Sequence, residues 1–507
     1  GREPSRDAFS VPGPNRTHWL PYSVTSPEGR RLYTEMWQFG ARSVLAMGGR
    51  PFVYELFNEP DHNDWSEYNR RLFSENLKKR YRNIEALNAQ WRTEYRNFEQ
   101  IGQFKRQTEN PALCVEWIKF MEETFTELCR IGVAAIREID PRPEAGFCVQ
   151  PVSLLNTHIN VHELNRHMNM VCSSTGGGNA FQARFLHSIA AGKPIFDGEA
   201  YVGRTRAEVR NRLWTQYARG FNASFVFKWD RRTYDPLWGK ERGAEGGQAL
   251  AERFRYLLLN PYGVPADALA GIMDMKKEIQ TLDNLFTPRT RGVKAEIGLL
   301  FSYPAERLAV ATGCAAHNQV GHYAAALGYA PFLYDVVLEE QLPAGRAEQY
   351  KVLIAAGLNT SYPQTPDHLA EFVRNGGTLL LVHEAMQLDE YGFPRSGGVF
   401  GITPDLELFG EPADLRIGKE KLAASPYTKL RYDASWRVVR QFDAGAPAVL
   451  EKKSGKGRVL FLNVKMPLEG ISALLRELLS PLAPLCRLTD HRTGAAASRI
   501  EVHKAMR

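Results

Sequence analysis

With 507 residues, 64 of them basic and 57 acidic, the chain has room for two to four domains and carries a formal net charge of +7. A hydrophobic fraction of 44% fills ordinary globular cores, and a small basic excess spread along the chain argues against nucleic acid as a partner. No run reaches the roughly 18 apolar residues that a bilayer crossing requires, so no membrane partner is expected.

The chain begins at Gly1 with an irregular leader, residues 1–26, containing four prolines. Ser26-Pro27-Glu28 is a helix start, with a capping serine and proline at the first helical position. That helix runs to about Met47 and is followed by an apolar strand over 52–58. A long helical insertion occupies 66–139. Strands at 145–151, 169–173, 194–199 and 223–229 then alternate with helices near 160–167, 180–191 and 205–219, and a last helix ends near Phe286. Repeated strand–helix units predict an α/β fold with a parallel sheet. Five strands are legible where a closed (β/α)8 TIM-type barrel needs eight, so the expected catalytic part, 1–290, is a barrel lacking its first strands.

From about 295 the composition changes. Short apolar strands at 296–301, 331–337, 351–356, 378–382 and 458–464 enclose helices at 317–327, 366–374 and 469–480. The run Phe372 to Leu379 reads as a helix, a left-handed glycine cap and a buried strand. A doubly wound, flavodoxin-like α/β domain over 295–487 is expected, with 488–507 a tail or the start of a further β-domain.

Two glutamates carry the chemistry. Val53 to Pro60 reads as a buried strand ending in Asn58-Glu59 and stopped by Pro60, and Pro194 to Val202 delivers Glu199 at a second strand end. Glycosidic-bond cleavage with retention needs two carboxyls about 5–5.5 Å apart, one protonating the leaving oxygen and one attacking the anomeric carbon. Glu59 suits the acid/base role and Glu199 the nucleophile. Asn58 can donate to a sugar 2-hydroxyl, Tyr201 is close enough in sequence to shape the nucleophile's pocket, and Trp229 ends a strand where an aromatic platform could lie under the sugar. The chemistry calls for a glycoside or oligosaccharide substrate and no cofactor or metal.

These strand ends resemble clan A retaining glycoside hydrolases. The segment Leu77 to Trp91, Leu-Lys-Lys-Arg-Tyr-Arg-Asn-Ile-Glu-Ala-Leu-Asn-Ala-Gln-Trp, is similar to the stretch that follows the acid/base strand in family 42, the β-galactosidases. The α/β domain resembles that family's trimerisation domain, which is related to class I glutamine amidotransferases. The resemblance, spanning 27 to about 490, implies Glu59 as acid/base, Glu199 as nucleophile, β-galactosides as substrates and a homo-oligomer, a trimer. Pro60 stands where the family usually has an aromatic residue.

A different reading keeps the fold and drops the chemistry: a catalytically impaired carbohydrate-binding or assembly protein. An amidotransferase is disfavoured, because Ile354 to Ser361 offers no nucleophilic cysteine at the turn after a strand. The six cysteines, 114, 129, 148, 172, 314 and 486, have no C-x-x-C spacing and read as buried free thiols of a reducing, cytoplasmic setting. Asn15-Arg16-Thr17 is a bare glycosylation match. His62 and Trp65 read as cleft or surface residues, and Asp197 as a partner of the site or a strand-end cap. Asp230 and Arg231 sit at the expected rim, and Glu245 is a loop acid. His158, His162 and His167 read as solvated helix positions, and Gly176 to Gly178 as a loop without phosphate-binding spacing.

Overall fold

The computed structural model describes residues 20–484 except 21, 61, 104–109, 152–153, 155–157, 174–179, 204, 228–266, 283–293, 313–316, 396–398 and 405–412. The leader through residue 19, Trp229, Asp230, Arg231, Glu245, Gly176 to Gly178, Cys314, Cys486 and the 488–507 tail therefore lie outside the described residues.

The first half runs α1 (Pro27–Ala46), β1 (Val53–Asn58), α2 (Glu67–Tyr81), α3 (Ile84–Trp91), α4 (Phe98–Ile101), α5 (Pro111–Arg137) and β2 (Gly146–Gln150). It continues with α6 (Val161–Arg166), β3 (Val171–Ser173), α7 (Ala180–Ala190), β4 (Ile195–Ala200), α8 (Arg206–Ala218), β5 (Ala223–Val226) and α9 (Asp267–Thr281). Capping follows the sequence: the Ser26 hydroxyl accepts from Gly29 N at 3.0 Å, and Asn110 accepts from Leu113 N at 3.1 Å ahead of Pro111. Thr205 and Glu208 form a reciprocal box at the start of α8.

The five strands are parallel, and each lies beside its sequence neighbour. β1 pairs with β2, β3 with β4, and β4 with β5, while Met170 N donates to the Phe147 carbonyl at 3.3 Å where β2 meets β3. Alternation sets two faces. Val53, Cys148, Met170, Cys172, Phe196 and Ala223 cluster on the inner one, and Phe225 there packs on Phe196 and Phe52 at centroid distances of 5.2 and 5.7 Å. The outer face takes the helices, with Phe57 edge-on to Tyr33 and Trp37 of α1. This is the curvature of a (β/α) barrel wall, as the sequence predicts.

The second half contains β6 (Ile297–Phe301), α10 (Tyr303–Thr312), α11 (His317–Tyr329), β7 (Tyr334–Leu338), β8 (Val352–Ala355), α12 (Thr365–Arg374) and β9 (Thr378–Val382). Then come β10 (Ile402–Pro404), β11 (Ala413–Ile417), β12 (Glu420–Ala424), β13 (Leu430–Tyr432), β14 (Arg437–Gln441), β15 (Pro447–Ser454), β16 (Gly457–Leu462) and α13 (Leu468–Leu479). The large sheet has the order β14-β15-β16-β9-β8-β6-β7. Its parallel part, β7-β6-β8-β9-β16, is the flavodoxin-like 2-1-3-4-5 order. The expected glycine cap is present, with Gly376 at φ 117° between α12 and β9. Unexpected are β10 to β15. They are antiparallel strands that extend the sheet edge or form small separate pairs, most of them half-exposed, with β15 buried along Ala448 to Glu451 between β14 and β16.

The halves meet across a dense contact. Phe185 of α7 packs edge-on against Phe301 at 4.9 Å, and the Arg307 guanidinium donates to Glu122 of α5 at 2.7 Å with both side chains buried. The four described cysteines are free thiols, three of them buried. Among the described residues no helix is long and apolar enough to cross a membrane.

Candidate active site

The C-terminal ends of β1, β2 and β4 build one constellation. β1 is an apolar run whose pairing slips between Glu55 and Asn58, so Asn58 stands opposite Gln150. The chain then turns sharply. Glu59 takes a left-handed φ of 46°, its N–H donates to the Gln150 carbonyl at 2.6 Å, and Pro60 ends the ladder.

Gln150 joins the two predicted strand ends. Its Nε2 donates to Asn58 Oδ1 at 2.9 Å and to Glu199 Oε2 at 3.3 Å, while the Cys172 thiol donates to its Oε1 at 3.5 Å. The amide is 1% exposed and has one orientation that serves all three partners. Space for it comes from Gly198. A Cβ there would fall 1.7 Å from Gln150 Oε1 and 2.6 Å from Cys172 Sγ. Glu199 is held from the other side by Tyr201, whose hydroxyl donates to Oε1 at 2.8 Å. Both oxygens of Glu199 thus accept hydrogen bonds.

Glu55 adds a third carboxyl. Burial, then the charges of Glu199 and Glu59, push its pKa up to about 7. Its surface remains solvent-reachable, so the crowding comes from the strand wall and the two neighbouring acids rather than from full enclosure.

Asn58, Glu59, Glu199 and Tyr201 are brought to one end of one wall. Trp229 lies outside the described residues. Asp197 points away, toward α8: Gln216 Nε2 donates to its Oδ2 at 2.6 Å, and Glu199 N donates to its Oδ1 at 3.2 Å. His62 and Trp65 depart from expectation. His62 is fully buried, hydrogen-bonded through Nε2 to Thr124 at 3.1 Å, with its pKa pushed down to about 3 by desolvation. Trp65 stacks on Trp117 at 4.7 Å, in the core between α2 and α5. His162 is also partly buried rather than solvated, and burial lowers its pKa. Among the described residues no group of acids, histidines and cysteines is arranged to hold a metal.

Gln150, Gly198 and Glu55 were not legible as site residues. A single glutamine or glycine in a strand carries no chemical signature. Glu55 did offer a signal, a charge inside a parallel strand whose two faces are expected to be apolar.

Comparison with known proteins gives a consistent picture. The family 42 glycoside hydrolase model, described as Beta-galactosidase, matches residues 50–235. Curated relatives include the beta-galactosidase bgaB of Geobacillus kaustophilus, 22% identical over 452 residues, covering 79% of this chain and 63% of that one. Beta-galactosidase BbgII of Bifidobacterium bifidum is 22% identical over 430 residues, covering 77% and 58%. The chain thus spans under two thirds of the length of these relatives. The crystal structure of beta-galactosidase from Bacillus circulans sp. alkalophilus superposes with a TM-score of 0.79 at 15% identity, covering 99% of this chain and 85% of that one. That from Halorubrum lacusprofundi gives 0.73 at 19%, covering 94% and 77%. The resemblance to family 42 and the barrel-plus-α/β fold expected from the sequence are both borne out.

Proposed function

We propose that this chain hydrolyses β-glycosidic bonds with retention of configuration, with β-galactosides as its substrates. Glu59 is the acid/base and Glu199 the nucleophile. The observation that carries this reading is the Gln150 amide, which ties Asn58, the neighbour of one glutamate, to the carboxylate of the other.

In the first step a Glu199 oxygen attacks the anomeric carbon while Glu59 passes its proton to the departing oxygen, leaving a covalent glycosyl-enzyme. Esterified Glu199 has lost its charge, so Glu59, now a carboxylate, removes a proton from water. The water oxygen attacks the anomeric carbon, and Glu199 leaves as carboxylate. Gln150 and Tyr201 fix the nucleophile's carboxylate plane and stabilise its charge when it departs. Asn58 keeps its Oδ1 on Gln150 and offers its amide N–H groups to the sugar 2-hydroxyl. Trp229 is assigned to the sugar-binding surface.

We extend the reading to the remainder of the chain: residues 1–290 as the catalytic barrel, and 295–487 as an assembly domain that makes a homo-oligomer, a trimer. The similarity to beta-galactosidases supports both parts.

Glu59→Gln and Glu199→Ala test the assignment. Glu59→Gln is expected to lose turnover on substrates with poor leaving groups while sparing activated aryl glycosides. Glu199→Ala should lose both, and azide should restore turnover with an inverted glycosyl azide product. Parent-like hydrolysis by either variant would overturn the assignment and favour a binding or assembly protein on the same fold.

A further inference from the structure

We infer that Glu55 is a positioning residue of this site, an inward-facing third carboxyl whose ionisation extends activity toward alkaline pH. The inference rests on the two-glutamate reading and adds to it. Glu55 pairs with Cys148 in the β1–β2 register and shares a face with Val53, which packs among Cys148, Cys172 and Phe196 inside the wall. Gln150, two residues beyond Cys148 on the same face of β2, touches Glu199. Glu55 is therefore directed into the space below the two strand-end glutamates.

The groups facing it are few. β1 contributes Glu59 and β4 contributes Glu199, both acting on Glu55 as like charges. β2 and β3 contribute the Cys148 and Cys172 thiols, and the Cys172 thiol is itself pushed up, by burial first, with Glu55 among the smaller causes. Asp197 of β4 is turned to Gln216, and the described part of β5, Ala223 to Val226, has no titratable group. No cation among the described residues pairs with Glu55.

The consequence has a definite sign. Below about pH 7 Glu55 is neutral, so it leaves the acid limb of activity, where the nucleophile must ionise, unchanged. Above that pH its negative charge makes the neighbouring acid hold its proton more tightly, and the alkaline limb is carried upward. The three carboxyls titrate as a coupled group, so the limbs belong to the cluster rather than to one residue.

The experiment compares kcat/KM against pH for the full chain and Glu55→Gln, together with a carbon-13 NMR titration of labelled glutamate carboxyls. Glu55→Gln should shift the alkaline limb down by about half a pH unit to one unit, less at high salt, and leave the acid limb in place. In the NMR experiment a carboxyl titrating near 7 should vanish in Glu55→Gln and move down in Glu199→Gln. Superimposable limbs, or a Glu55 carboxyl that ignores Glu199→Gln, overturn the inference. Loss of hydrolysis unrelated to Glu59 or Glu199 would instead overturn the two-glutamate reading. The NMR titration decides the Glu55 contact in either case.

Discussion

Replacing Gly198 by alanine probes the site without touching either glutamate. Its backbone is not in the left-handed region, so alanine meets no conformational barrier. The obstacle is space, because the new methyl would overlap Gln150 Oε1 at 1.7 Å and crowd Cys172 Sγ at 2.6 Å. Gln150 is the flexible partner and must swing away, abandoning Asn58 at 2.9 Å and Glu199 at 3.3 Å. A neutral hydrogen bond contributes about 1 kcal/mol, and one to a charged group about 1.5–3 kcal/mol, the lower end applying to the longer contact. Against a loss of about 2.5–3 kcal/mol, the Gly-to-Ala change returns about 0.4–1 kcal/mol by restricting the unfolded chain. The net expectation is about 2 kcal/mol less stability in urea denaturation. If half the lost bonding acts in the transition state, kcat falls about tenfold, since about 1.4 kcal/mol is one decade. Gln150→Ala, made alone and in the Gly198→Ala background, completes the cycle. With Gln150 already truncated, the added methyl should cost less, only the crowding of Cys172 Sγ remaining. Additive losses, or a Gly198→Ala protein with the parent's stability and kcat, would refute the account of Gln150 as the tie.

Tyr201→Phe removes the 2.8 Å donor to Glu199; kcat should drop about tenfold or more in steady-state hydrolysis of an aryl glycoside. Glu339→Gln addresses stability. Burial, then Glu340, push the buried Glu339 carboxyl up to about 8, so the folded state binds its proton more tightly than the unfolded one. The parent should lose on the order of 4 kcal/mol as pH rises from about 4.5 to 8, with no further loss above, and the variant should show a flatter curve in denaturation at stepped pH. Arg307→Met strands Glu122 in a buried contact and should cost about 3–5 kcal/mol, whereas Arg307→Met with Glu122→Leu should recover much of it in chemical denaturation.

Much of the fold was legible because parallel strands and their helices announce themselves strongly. Val53 to Phe57, broken only by Glu55, the pair Ile195-Phe196, and Leu379 to Val382 are apolar strand signals, and Ser26-Pro27 or Asn375-Gly376 punctuate them. The ribbons from Ile402 to Gln441 are hard to read because most are half-exposed, and buried β15 because its apolar run, Ala448 to Leu450, is only three residues before charge resumes. Arg437-Val-Val-Arg-Gln and Glu420-Lys-Leu-Ala-Ala mix charge with apolar residues and show no clean two-residue alternation. In the site, residue types that do chemistry stood out, while those that hold them did not. Gln150 matters through what lies across two strands from it, and His62 was misplaced because a histidine after a turn looks the same in sequence whether it faces solvent or, as here, the α5 helix.

The left-handed backbone at Glu59 sets a local cost on holding a carboxyl there. Side chains other than glycine, asparagine and aspartate pay roughly 1–2 kcal/mol in that conformation, so the architecture alone would favour glycine there. Glu59→Gly would relieve that strain and remove the carboxyl in one change. Backbone ease and the proposed acid/base role therefore pull in opposite directions at this turn.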